Sequence, residues 1–174
     1  MVAEANLAKP AKREPSQGYT LREATPSDIA ALVSHRRRMF EDMTALHGET
    51  LVAADLDAMD EAYARQLDRM LADGSLRAWV IEAESRVVAG GAILIVEWLP
   101  RPHDLTRRLA YLHSVYTEPE HRRRGLARRI VWAAIEACRA NGLRRLTLHA
   151  SDEGRPLYES LGFQQTNEMR LVLD

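Results

Sequence analysis

Three consecutive arginines followed by a glycine, Arg122-Arg-Arg-Gly125, form the segment of this sequence best suited to binding chemistry. Residues 109–117 before it are rich in β-branched and aromatic side chains, which predicts a buried strand. From Leu126 onward apolar residues recur at helical spacing, so the basic turn joins a strand to a helix. The start of a helix offers free backbone N–H groups and the positive end of the helix dipole, which suits a phosphate. Gly125 lacks a Cβ and would let the backbone approach that anion closely.

The same turn also has a plainer interpretation. A glycine among arginines can be an ordinary loop, and a short glycine motif is weak evidence on its own. Neither the Walker pattern nor the dinucleotide-binding GxGxxG pattern occurs in the sequence. The residues alone therefore leave a phosphate site and an ordinary loop as equal alternatives.

Three segments, in this order, resemble those of the GNAT superfamily of acyl-CoA-dependent N-acyltransferases. Residues 122–127, Arg-Arg-Arg-Gly-Leu-Ala, are similar to the R/Q-x-x-G-x-G/A signature of that superfamily. Residues 115–120 and 157–163 occupy the positions of its matching segments before and after the signature. The resemblance is strong from about residue 109 to 163 and rests on element order alone over residues 19–108. It implies an N-acetyltransferase that moves an acetyl group from acetyl-CoA to a primary amine by direct attack in a ternary complex.

The resemblance also implies which residues bind acetyl-CoA. The pyrophosphate is expected on backbone N–H groups of Arg122, Arg123, Arg124, Gly125, Leu126 and Ala127. The pantetheine is expected along the backbone of Val115, Tyr116 and Thr117, at a strand end splayed from its neighbour. A backbone N–H at Val115 or Thr117 could polarise the thioester in the manner of an oxyanion hole. Arg155 is expected near the phosphate of the nucleotide end.

Three side chains are candidates for proton transfer. Tyr158 matches the tyrosine that family members commonly use as general acid toward the CoA sulfur, and its alternative role is packing of a short helix. His113 is the expected base, because an imidazole titrating near neutrality can deprotonate an amine. By two-residue alternation it would share a strand face with Tyr111 and Val115. A buried histidine bonded to a carbonyl is an equal alternative, and Glu97 is the second candidate base.

The acceptor side is expected to involve Arg36, Phe40 and Tyr111. Arg36 falls within the apolar stripe of the predicted first helix, where an arginine is usually satisfied by a carboxylate or by carbonyls. In the family this helix often lines the acceptor site, so Arg36 could instead face that pocket. Together with Glu97, it would hint at a zwitterionic or amine-bearing small molecule. No metal-ligand spacing such as HxxEH or CxxC is present, and no metal is expected.

The expected fold is of the α/β (α+β) class. The resemblance implies the GNAT fold, a mixed, mostly antiparallel sheet of six to seven strands flanked by about four helices. Residues 1–18 are predicted to be a flexible tail, and residues 19–174 a single domain. A hairpin is predicted around Glu84-Ser85, with a bulge or close backbone approach at Gly90-Gly91. The last strand is predicted over residues 163–173.

Composition bounds the partners. Hydrophobic residues make up 46% and charged residues 28%, and the net charge of −1 gives no overall attraction to nucleic acid or an anionic membrane. A small-molecule amine or a peptide is the expected acceptor, with no nucleic-acid or membrane partner. The single cysteine, Cys138, favours a cytoplasmic location. Trp132, on the polar face of its helix, could mark a homodimer contact. The alternatives are a non-catalytic acyl-CoA-binding sensor and a protein lysine or N-terminal acetyltransferase.

Overall fold

The computed structural model describes residues 18–102 and 104–173. They fall into two compact units, one within Glu14–His149 and the other within Ala150–Asp174. Apart from Gly18, the predicted flexible tail lies outside the described residues.

The first unit contains five strands and three α-helices. Strand β1 spans Thr20–Glu23 and is followed by a 3-10 turn, Pro26–Asp28. Helices α1 and α2 span Ile29–Leu46 and Ala53–Asp73. Strands β2, β3 and β4 span Leu76–Ala83, Arg86–Glu97 and Arg108–Thr117. A second 3-10 turn, Pro119–His121, precedes α3 at Leu126–Ala140 and β5 at Leu146–Thr147.

The strands form one sheet in the order β1-β2-β3-β4-β5. The first three pairings are antiparallel, and β4 pairs with β5 in parallel. The predicted turn at Glu84-Ser85 joins β2 to β3, and both residues adopt positive φ angles, of 49° and 63°. These angles suit a two-residue turn whose twist matches that of the strands. The three antiparallel pairings and the one parallel pairing confirm the predicted mixed, mostly antiparallel sheet.

Two adjacent glycines show that helices cover both faces of the sheet. A Cβ at Gly90 would lie 3.0 Å from Leu32 of α1, and a Cβ at Gly91 would lie 2.7 Å from Ile130 of α3. Successive residues of a strand point to opposite faces, so α1 and α3 lie on opposite sides of β3. Helix α2 joins α1 in a core against β2 and β3, formed by Leu32, Tyr63, Leu67, Met70, Leu76, Ala78, Val80 and Ala92.

The second unit contains a short helix, α4, at Arg155–Glu159. The ring of Tyr158 packs edge-on against Phe163, with centroids 5.7 Å apart. The strand predicted over residues 163–173 is wrong, since the structure has no strand there. Residues 164–168 are all polar, and the side chains of Met169 and Leu171–Leu173 are mostly exposed. The segment therefore buries too little apolar surface to stabilise a strand. The described residues therefore hold five strands instead of six to seven, with four α-helices.

Candidate functional site

A bulge interrupts the pairing of β3 with β4. Ala92 opposes His113 and Gly90 opposes Tyr116, so Gly91 alone faces both Ser114 and Val115. Ser114 accommodates the extra residue with a φ of +53°, which is uncommon for a residue with a side chain. The predicted irregularity at Gly90-Gly91 is therefore confirmed.

The bulge separates side chains that were expected to share a face. A Cβ at Gly91 would meet the Val115 side chain at 3.1 Å, on the side covered by α3. The ring of His113 instead packs edge-on against Tyr63 of α2, with centroids 6.3 Å apart. The prediction that His113 and Val115 point to the same face is wrong, because the extra residue at the bulge breaks the two-residue alternation.

The edge of β4 next to β5 is paired only at its beginning. Ala110 opposes Leu146 and Tyr111 opposes Thr147, and no further β4–β5 pair follows within the described residues. His113, Tyr116 and Thr117 thus pair with β3 on one side, while none of the described strands lies beside the other edge of residues 113–117. Backbone N–H and C=O groups along such an edge are available to an extended polar chain.

The turn after β4 leads directly into α3. Gly125 precedes the helix with φ +77°, and a Cβ added there would meet no atom within 4 Å. Arg123 also adopts a positive φ, of 60°. The first N–H groups of α3 therefore begin at an open, left-handed turn, while Leu126 anchors the helix in the core with 1% exposure.

Arg122 and Arg124 of the turn differ in what they contact. Arg122 donates to the Thr117 carbonyl at 3.0 Å and pairs with Asp42 of α1. Arg124 donates to the Glu120 carbonyl at 3.3 Å, and its guanidinium lies 6.0 Å from the Tyr19 ring centroid. The charge of Arg122 is thus balanced within the protein, so the positive field of the turn comes from its backbone and the other two arginines.

His113 belongs to a cluster that joins β4 to α1 and α2. Its Nδ1 lies 3.1 Å from Ser114 Oγ, and Arg36 Nη1 donates to the same oxygen at 2.7 Å. The Arg36 guanidinium lies between two aromatic rings, 5.0 Å from the Phe40 centroid and 4.7 Å from the Tyr63 centroid. The Tyr63 hydroxyl faces Ser114, is buried and has no hydrogen bond of good geometry.

The setting of His113 changes its acidity. Burial, and secondarily the charge of Arg36, lower the pKa of His113 to about 4. The imidazole is therefore uncharged at neutral pH. Its pKa of about 4 is lower than the near-neutral value expected from the sequence.

Tyr111 and Glu97, the remaining acceptor-side and basic candidates, have other neighbours along the strands. The Tyr111 hydroxyl lies 2.6 Å from Nδ1 of His149. Glu97 opposes Arg108, five positions along β3 from the residue that opposes His113. That separation is roughly 16 Å at the rise of a strand. The structure therefore groups His113 with Arg36 and Phe40, and places Glu97 at the far end of the same strand pair.

Tyr158 and Arg155 belong to the second unit. Burial raises the pKa of Tyr158, so its phenol stays protonated at neutral pH. Arg155 lies 3.5 Å from the carboxylate of Asp152, three residues earlier, and both side chains of this pair are exposed.

Glu118, which the sequence reasoning missed, fixes the turn after β4. It is 5% exposed, accepts a hydrogen bond from Arg38 of α1 at 3.0 Å and forms an ion pair with Arg86 of β3 at 2.9 Å. Nε2 of His35 lies 3.8 Å away, and burial lowers the pKa of His35 to about 4. These partners are distant in the sequence and follow no motif, so no sequence signal could have found them.

Neither a metal-binding cluster nor a membrane-spanning helix occurs among the described residues. No group of three or more His, Cys, Asp or Glu side chains in residues 18–102 and 104–173 is arranged to hold a metal ion. None of the helices in that part of the chain is both long and apolar enough to cross a membrane.

Comparisons with known proteins agree with this architecture. Residues 37–163 match the model of the Acetyltransferase (GNAT) family. The uncharacterized N-acetyltransferase YjgM of Escherichia coli is 28% identical over 153 residues, which cover 85% of this chain and 83% of YjgM. The crystal structure of a GCN5-related N-acetyltransferase from Ralstonia eutropha superposes with a TM-score of 0.80 at 30% identity, covering 90% of this chain and 99% of that one.

A second solved structure was determined with a ligand. It is a predicted acetyltransferase from Clostridium acetobutylicum with acetyl-CoA, 29% identical, with a TM-score of 0.78 over 89% of this chain and 96% of that one. The family match spans most of the sequence. The chain therefore belongs to the GNAT family of acetyltransferases, and its fold is the GNAT fold.

Proposed function

We propose that this protein is an acetyl-CoA-dependent N-acetyltransferase that acts on a primary amine by direct attack in a ternary complex. The observation that carries the proposal is the continuous path formed by the one-sided end of β4 and the open turn at Gly125. Pantetheine has amide groups that can bond to a strand edge, and pyrophosphate suits the start of a helix. The two halves of CoA therefore match two successive features of one chain segment.

The proposed contacts follow this path. The backbone of Val115, Tyr116 and Thr117 would hold the pantetheine. The pyrophosphate would accept hydrogen bonds from the backbone of Arg122, Arg123, Arg124, Gly125, Leu126 and Ala127, and Arg155 would contact the phosphate of the nucleotide end. The left-handed backbone at Gly125 supports this role, because a side chain there would be strained and would fill the open space.

Acetyl-CoA supplies a thioester, whose carbonyl carbon the amine nitrogen attacks. The new C–N bond replaces the C–S bond, the nitrogen loses a proton, and the departing sulfur needs one. We assign the proton from nitrogen to His113, which is uncharged and ready to accept at neutral pH because its pKa is about 4. Such a weak base suits a nitrogen that has become positively charged during attack. Glu97 is the alternative base.

Tyr158 is proposed to donate the proton that the sulfur takes up. Its role rests on the resemblance of residues 157–163 to the family segment, and on the raised pKa that keeps the phenol protonated. A phenol is acidic enough to protonate a thiolate when it is held close to it. The acceptor side is assigned to Arg36, Phe40 and Tyr111.

The test is release of the CoA thiol, followed with a thiol reagent while a panel of amines is offered with acetyl-CoA. Cys138 is buried and burial raises its pKa to about 11, so the protein itself should add little background. The proposal expects amine-dependent release that falls in His113→Gln and Tyr158→Phe, with Glu97→Gln close to wild type. Tight binding of acetyl-CoA without thiol release for any amine, peptides included, would favour the sensor alternative.

A further inference from the structure

Arg36 differs from its two neighbours on α1 in its partners. Arg37 lies 2.8 Å from Asp57 and 2.7 Å from Asp60, and Arg38 lies 3.0 Å from Glu118. Arg36 instead donates to the hydroxyl of Ser114, and no carboxylate in the described part of the chain pairs with it. A partly buried guanidinium normally has an anionic partner, so Arg36 is an exception.

The surroundings of Arg36 hold its orientation without balancing its charge. Phe40 and Tyr63 contact the guanidinium through their rings, at 5.0 and 4.7 Å from the centroids. Aromatic rings stabilise a cation by roughly 0.5–2 kcal/mol but carry no net charge. A guanidinium has five N–H donors, of which Ser114 receives one. The remaining donors suit a carboxylate or phosphate, which arginine binds through two parallel hydrogen bonds.

Arg36 also lies next to the proposed base. Arg36 Nη1 is 2.7 Å and His113 Nδ1 is 3.1 Å from the same Ser114 oxygen, so the two nitrogens are no farther apart than the sum of these distances. A ligand whose amine lies near His113 would therefore bring groups a few bonds away from that amine close to the guanidinium.

We infer that Arg36 binds an anionic group of the acceptor, so that the substrate is a small amine that also carries a carboxylate or a phosphate. This inference rests on the proposed acetyltransferase function and narrows it to one class of acceptor. Phe40 and Tyr63 hold the plane of the guanidinium, and the substrate supplies the negative charge that balances it.

The experiment compares acceptors that carry an anionic group with counterparts in which that group is neutral or absent. Amino acids are paired with their carboxamides, and a phosphorylated amino sugar with the free amino sugar, so that the two arms distinguish carboxylate from phosphate. Each is assayed for kcat/KM with wild type, Arg36→Met and Arg36→Lys. Methionine keeps an unbranched apolar stem against the two rings. Arg65→Met, at an exposed arginine of α2, is the matched control.

The expected result is a preference of wild type for the charged member of at least one pair. Arg36→Met should lower kcat/KM for that member by about 10- to 100-fold, the range for a lost charged hydrogen bond. The loss should be smaller for the neutral member, and Arg36→Lys should retain part of the preference. Acetyl-CoA affinity should be unchanged in all variants, and Arg65→Met should match wild type.

Two results would overturn the inference in different ways. If wild type uses charged and neutral members equally, and Arg36→Met slows both alike, Arg36 only braces Ser114 and the proposed function stands. If wild type neither binds acetyl-CoA in a calorimetric titration nor acetylates any amine, the proposed function fails and the inference fails with it. Thermal unfolding of each variant shows whether a loss of activity comes from misfolding. If a variant is misfolded, the preference of wild type for charged over neutral acceptors decides the question.

Discussion

Replacing Gly91 with alanine would press a methyl group between β4 and α3. The added Cβ would lie 2.7 Å from Ile130 Cγ2, 3.1 Å from Val115 Cγ2 and 3.4 Å from Val115 Cα. Ordinary carbon contacts are about 3.5–4.0 Å. Ile130 is fully buried and the nearest Val115 atoms include backbone, so relief requires a shift of α3 or of the bulged segment.

The magnitude follows from two opposing effects. Overpacking of a core costs about 1–3 kcal/mol, and replacing glycine by alanine recovers about 0.4–1 kcal/mol through the unfolded chain. We expect a net loss of about 1–2 kcal/mol in the free energy of unfolding. For a chain of this length that lowers Tm by roughly 2–8 °C.

The assay is urea denaturation, with acetyl-CoA titration of the folded variant. Because Val115 belongs to the proposed pantetheine contact, its displacement should also weaken acetyl-CoA binding. Gly90→Ala is the control, since its added Cβ meets the end of the Leu32 side chain at 3.0 Å on the α1 face, and that end can move. A Gly91→Ala variant as stable as wild type, or no worse than Gly90→Ala, would refute this packing argument.

Three further variants test other parts of the account. Burial holds the pKa of His35 near 4, below the ordinary 6.5, so the unfolded chain protonates first as the pH falls. Protonation of His35 should therefore lower the free energy of unfolding by up to about 3 kcal/mol as the pH falls from 6.5 to 4. His35→Gln should reduce this pH dependence in urea denaturation, and an unchanged pH dependence would contradict the low pKa of His35. Tyr158→Phe should lower kcat by about 100-fold in the thiol assay while acetyl-CoA affinity stays constant, and full activity would exclude it as the acid. Asp28→Asn should lower the free energy of unfolding by about 1–3 kcal/mol in urea denaturation, because Arg22 pairs with this carboxylate and lowers its pKa to about 2. Asp152→Asn, at an exposed pair, should lower it by less than about 0.5 kcal/mol, and equal losses in the two variants would disprove the difference.

Local patterns predicted much of the fold. The β-branched residues 109–117, the helical spacing after Gly125 and the turn at Glu84-Ser85 each specify their element through neighbours in the sequence. The 3-10 turn before α1 also has a local cause, because Pro26 fits a helix start and Asp28 accepts from the Thr25 N–H at 2.8 Å. These features depend on short-range chemistry, which a single sequence records.

Features that depend on pairing across the sheet could not be predicted in the same way. The left-handed backbone of Ser114 arises because Gly91 faces two residues, and nothing in the residues around Ser114 encodes that register. For this reason the expected shared face of His113 and Val115 was wrong. The shared oxygen of Ser114 that joins Arg36 to His113, and the low pKa of that histidine, also arise only from packing.

Calorimetric titration with acetyl-CoA tests the proposed binding of this cosubstrate at the turn around Gly125. Gly125→Glu would place a bulky negative charge where the pyrophosphate is proposed to lie. Gly142→Glu is the matched control, since Gly142 follows the other end of α3, with a positive φ and open space around its Cβ position. We expect wild type and Gly142→Glu to bind acetyl-CoA and Gly125→Glu not to bind it. Equal binding by all three, or no binding by wild type, would contradict the proposed binding.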